Sequence, residues 1–163
     1  MDVKKGITGG LVAGAVFLVF EMLYALIAAG KLFGPLAMMA SIPMQTPPPQ
    51  IAMGSAIVVG LITHAVLSAG FGVVVTYIIG SVGQLHSSTA TLLVATSVFG
   101  LVLWLLNFYV LSRVLGTPWF ATQTSALWQG FIAHTFFFGT VLGGYLTSQL
   151  SQQQQTSTAP QQS

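Results

Sequence analysis

The sequence contains no cysteine, two acidic residues and four fully basic ones among its 163 residues. Without cysteine there are no disulfides, thiolate metal sites, iron–sulfur clusters or thiol nucleophiles. Charged residues make up 4% of the chain, against about 25% in a typical soluble domain. A chain so poor in charge cannot cover its own surface in water. The basic residues Lys4, Lys5, Lys31 and Arg113 are too few to form a patch that tracks phosphates, which excludes nucleic acid as a partner. The acids, Asp2 and Glu21, lie far apart in the sequence and form no catalytic carboxylate pair. There is no nucleophile–base–orienter set, no G-x-S-x-G and no phosphate loop. These absences argue against an enzyme, above all against hydrolytic or phosphoryl chemistry, and no catalytic residue is assigned.

What is present is apolar surface. Hydrophobic residues make up 54% of the chain and the mean hydropathy is +0.85, which also excludes disorder over most of its length. A helix needs about 20 apolar residues to cross the hydrocarbon core of a bilayer. Four segments meet that need, at about 6–29, 52–79, 88–111 and 122–148. The fold class that follows is all-α, an integral membrane four-helix bundle running up-down-up-down over residues 1–148. Lys4 and Lys5 before the first span, and Ala28-Ala29-Gly30 after it, resemble a signal peptide. The run is too long for one and holds Glu21, so it is read as a retained helix. Basic residues are split two and two between the sides, leaving the positive-inside rule without a preference. The polar tail points to cytoplasmic termini, in a bacterial inner membrane, with the lipid bilayer as the first partner.

Between the first two spans, residues 32–44 are mostly apolar but too short to cross, which predicts an interfacial or re-entrant helical turn. Pro35 suits its N-terminus, while Pro43 and Pro47-Pro48-Pro49 would end it. Met38, Met39, Met44 and Met53 cluster here; with no histidine beside them, they read as fillers of irregular apolar gaps rather than copper(I) ligands. Residues 149–163 are Gln-rich with no apolar face, which predicts a disordered tail. His86 falls in a polar turn and reads as solvated.

The first and third spans can be laid over each other. Gly14-Ala-Val-Phe-Leu-Val-Phe-Glu21 matches Gly100-Leu-Val-Leu-Trp-Leu-Leu-Asn107 in its glycine, its valine two later and its polar residue seven later. Lys31-Leu-Phe-Gly34-Pro35 and Arg113-Val-Leu-Gly116-Thr-Pro118 follow in the same order. The second and fourth spans then share Ile62-Thr63-His64 and Ile132-Ala133-His134. This order suggests a duplicated helical hairpin with its axis along the membrane normal. His64 and His134 would then face each other diagonally, with Glu21 and Asn107 in the other equivalent positions.

Steps of four along the second span pass through Ala52, Ala56, Gly60, His64, Ser68, Gly72, Thr76 and Gly80, an unbroken small or polar row. Gly6, Gly10 and Gly14 do the same in the first span, and Gly130 precedes His134 by one turn. Such rows mark close helix contact in lipid and place Glu21 and His64 away from it. At ~1.5 Å per residue Glu21 lies roughly 22 Å into its helix, and each histidine roughly 18 Å in from the opposite side. The four side chains can therefore share one polar layer.

A carboxylate at the bilayer centre costs about 2.5–3.5 kcal/mol on insertion scales, so such a layer is a functional candidate by default. His64 and His134 could supply opposite axial ligands to haem b, with Gly60, Gly72, Gly100 and Gly130 leaving room for the macrocycle and Phe137 and Phe138 packing on it. Alternatively, Glu21, His64 and His134 could hold a single divalent metal ion. The layer could relay protons or ions. It could also be structural, with Asn107, Ser68 and the others hydrogen-bonding across helices in an accessory or scaffold subunit that meets itself or a membrane complex through its glycine faces. Tyr109, Trp119 and Phe120 suit an interfacial belt, and Trp104 reads as deep packing.

Leu106-Asn107-Phe108-Tyr109-Val110, followed by Pro118-Trp119-Phe120 and Ala133-His134, resembles a family of short bacterial four-span membrane proteins of unknown function. The likeness covers most of residues 6–148. It implies no activity, cofactor or catalytic residue.

Overall fold

The structure, a computed structural model, describes residues 2–121 and 124–158. Among them there are helices and turns but no strands. Helix α1 is Val3–Ala29, α2 is Gly34–Met44, α3 is Met53–Ser81 and α4 is Thr89–Val114. Thr124–Ile132, Ala133–Thr140 and Val141–Thr158 follow one another without a break and are called α5 together. By length and composition α1, α3 and α4 can each cross a membrane. Their outward faces are apolar, with Ile27, Val66 and Tyr77 among the most exposed side chains, as contact with lipid demands.

Local chemistry explains the ends. Asp2 caps α1, its side chain accepting the Lys4 N–H at 3.1 Å. Gly30 closes α1 in the left-handed region, at φ 65°, and Lys31 N–H reaches back to the Ala25 carbonyl. In α2, Pro35 lies in the first turn as expected. Pro43 does not end the helix; it sits inside the last turn, and the chain leaves two residues later at Gln45, at φ 49°. The helix is so short that the N–H proline lacks is easily forgone. At the other end of the chain α5 continues to Thr158, and residues 159–163 lie outside the described residues. A helix already anchored by packing propagates at little cost into a glutamine-rich stretch.

Packing follows the glycine rows. A Cβ on Gly6 would lie 2.9 Å from Val73 Cα, and one on Gly14 would lie 2.6 Å from Ser68 Cβ. The order 6, 10, 14 along α1 meets 73, 72 and 68 along α3, so the two run antiparallel with backbones touching. Ala56, Gly60, His64, Ser68, Gly72 and Thr76 are buried, whereas Ala52 and Gly80, at the ends of the row, are not. α4 and α5 cross in the same manner, Gly100 against Thr135 and Gly139 against Ser97. α1 also packs on α5, through Phe20 stacked on Phe137 at 4.0 Å and the Thr8–Tyr145 hydroxyl pair at 2.7 Å. That contact puts the start of α1 and the far end of α5 on one side. Val75 and Ile79 of α3, Leu92 and Leu103 of α4, and Phe138, Leu142 and Leu146 of α5 join Ala13 in the core.

On the other side α2 leans on α3, with the Leu36 backbone against Gly60. Trp119 Nε1 donates to Ser41 Oγ at 2.9 Å, tying the turn after α4 to α2. The side chain expected at the interface is therefore a clasp. Gly60 lies seven residues into α3, about 10 Å, so α2 packs near the start of that helix.

Gly72→Val should destabilise the protein by about 1–3 kcal/mol by overpacking. Gly70→Val, where a Cβ meets nothing within 4 Å, should not. Equilibrium unfolding in mixed detergent micelles reads both.

Candidate functional site

The expected polar residues gather around one side chain, Phe17 of α1. The His64 ring lies 5.7 Å from Phe17 in a stacked arrangement, and the His134 ring lies 4.8 Å away, edge-on. Phe17 of α1 thus touches both rings, because α1 packs against both α3 and α5.

Each polar group has a partner within the bundle. His64 Nε2–H donates to the Gly14 carbonyl at 2.8 Å, with Ser68 Oγ a further 3.4 Å neighbour. A carbonyl only accepts, so Nε2 carries the proton. His134 Nδ1–H donates to the Gly130 carbonyl at 2.7 Å, and Asn107 Nδ2 donates to His134 Nε2 at 3.1 Å. Both ring nitrogens of His134 are thereby used. Glu21, one turn beyond Phe17, accepts a hydrogen bond from Gln129 Nε2.

The residues named for a cofactor have other neighbours here. The residues named for a divalent metal are not brought together: Glu21 turns to Gln129, and no group of three or more His, Asp or Glu among the described residues could hold an ion. The space proposed for a macrocycle is filled. Gly60 is closed by Leu36, Gly72 by Gly6 and Gly10, Gly100 by His134 and Thr135, and Gly130 by Phe108 and Trp104. Phe137 stacks on Phe20, and Phe138 belongs to the core beside Phe71. The small residues make room for neighbouring backbone rather than for a ligand.

Two features escaped the sequence. Gln129 is the first: an amide one turn and a half before His134, at the depth of Glu21, was a detectable signal. The second is a pair of π-helical stretches, Leu106–Leu111 and Ala133–Thr140. One holds Asn107 and the other His134, so the helix is wider on both sides of that hydrogen bond. No residue pattern announces an i→i+5 register. Near them, the Trp104 indole N–H and the Thr135 hydroxyl are buried without a partner. Trp104 packs edge-on to Tyr109 and Phe131, in keeping with its reading as deep packing. The side chains of His86 and Phe120 lie outside those the structure describes.

No protein-family model, curated protein or solved structure matches the chain.

Asn107→Leu should lower stability by about 0.5–2 kcal/mol, the range of a hydrogen bond between helices in lipid. Gln129→Leu should cost more in a protein that retains Glu21 than in one carrying Glu21→Gln, because only the carboxylate is then left without its donor. A double-mutant cycle by detergent unfolding reads the difference.

Proposed function

We propose that the protein is a small, non-catalytic membrane subunit, whose polar layer joins its helices and whose outer faces meet other membrane components. One observation carries this reading: Glu21, His64, Asn107, Gln129 and His134 bond to one another or to nearby backbone, with His134 using both ring nitrogens. A polar group satisfied in this way acts as glue between helices. Reagents of a reaction would have to displace it.

In this proposal α5 crosses the membrane with α1, α3 and α4, completing an up-down-up-down bundle of two related hairpins. Gly14 against the His64 turn and Gly100 against the His134 turn support the duplication, since the paired glycines meet the paired histidines. The start of α1 and the far part of α5 share one side, which we take as the cytoplasmic side of a bacterial inner membrane. The partner is a second copy or another membrane protein.

The test is to purify the tagged full-length protein in mild detergent. The expected preparation is colourless, free of stoichiometric metal, unchanged by added haem, and either self-associated or accompanied by a stoichiometric membrane protein. A Soret band or one metal ion per chain would overturn the reading in favour of a haem b or metal site at His64 and His134. A monodisperse monomer without a partner would overturn the subunit role.

A further inference from the structure

His64 and His134 hold equivalent places in the two hairpins, yet their rings are finished differently. His134 has a partner at each nitrogen, Gly130 and Asn107. His64 has its partners at Nε2 alone. Since Nε2 donates to the Gly14 carbonyl, Nδ1 of the neutral ring carries a lone pair. That atom has no partner among the described residues. Nor is it one of the side-chain atoms sealed off without a partner, which are Thr76 Oγ1, Trp104 Nε1 and Thr135 Oγ1. His64 is nine-tenths buried, so what sets it apart from His134, which is less buried, is the unpartnered nitrogen and not a greater exposure of the residue.

The bond to Gly14 also sets the ring. A histidine whose one nitrogen donates to a backbone carbonyl presents the other in a fixed direction and as a better acceptor. Phe17 lies along the ring and restricts its rotation. Among the described residues around it, Glu21 is held by Gln129, His134 by Gly130 and Asn107, and α2 carries no acidic or basic residue.

We infer that the two histidines have separate roles: His134 is a locked crosspiece, and His64 Nδ1 is an open acceptor that binds a hydroxyl group. Water and the hydroxyl of an amphiphile share that chemistry. The inference goes beyond the subunit role and survives or fails independently of any partner.

Diethylpyrocarbonate tests it on the full-length protein in phosphatidylcholine nanodiscs. A free ring nitrogen attacks the reagent's carbonyl carbon, a C–N bond forms, ethyl carbonate leaves as ethanol and carbon dioxide, and the other ring proton passes to buffer. Peptide mass mapping then locates the adduct. His64 should react, and His134 should react at least about fivefold more slowly, the protection that one hydrogen bond provides. Asn107→Leu should raise the His134 rate towards that of His64. Dodecanol in the bilayer should slow His64 if the occupant is an amphiphile and leave its rate unchanged if it is water. An unreactive His64, equal rates in the unaltered protein, or a His134 that stays slow in Asn107→Leu would each overturn the inference.

Discussion

The structure depends on how closely α1 approaches α3. Hydrophobic burial does not pull helices together inside lipid, where the surroundings are as apolar as leucine. Contact area and hydrogen bonds must do it, and both require backbones that nearly touch. Gly6, Gly10 and Gly14 permit that approach, with Gly72 and Ser68 opposite. Only at this separation can the Gly14 carbonyl come within 2.8 Å of the His64 ring. The glycine row therefore does more than fill space. It brings a backbone acceptor of α1 to a side chain of α3.

From that contact the layer is assembled outward. Phe17 follows Gly14 by about one turn and packs on both imidazoles; Glu21 follows Phe17 by another and meets Gln129 of α5. One face of α1 thus organises groups from α3 and α5. The second hairpin solves the same problem differently. Gly100 lies against the backbone of His134, and the ring turns instead to Asn107 and to its own helix at Gly130. The π-helical stretches through Asn107 and His134 accompany this change of direction, whereas α1 and α3 remain regular where they bear Glu21 and His64. His64 and His134, which the sequence pattern pairs, therefore have different hydrogen bonds.

The legible parts of the fold were those with a period. Long apolar runs located α1, α3 and α4 to within a few residues, and the step of four in α3 marked its buried face from Ala56 to Thr76. Asp2 and Gly30 mark the ends of α1 by known cap chemistry. The depth of Glu21, His64, Asn107 and His134 could be counted from helix rise, and these residues do gather near Phe17. What counting could not supply was their pairing. Asn107 was assigned to the layer, but its bond to His134 depends on the rotation of α4 against α5. Glu21 was grouped with the histidines because they share a level, whereas α1 turns its carboxylate towards Gln129. The glycines read as space for a macrocycle are occupied by neighbouring backbone and side chains.

The sequence by itself determined the solvent, the helices and the residues that must avoid lipid. Those properties follow from hydropathy and from spacing within one helix, both local. The tertiary structure alone decided which polar atom meets which, that Phe17 packs on both histidines, and that one imidazole has partners at both nitrogens while the other has them at one. Hydrogen bonds have a reach of about 3 Å and a direction, so a small rotation or a π-turn exchanges one partner for another without altering any hydrophobic pattern.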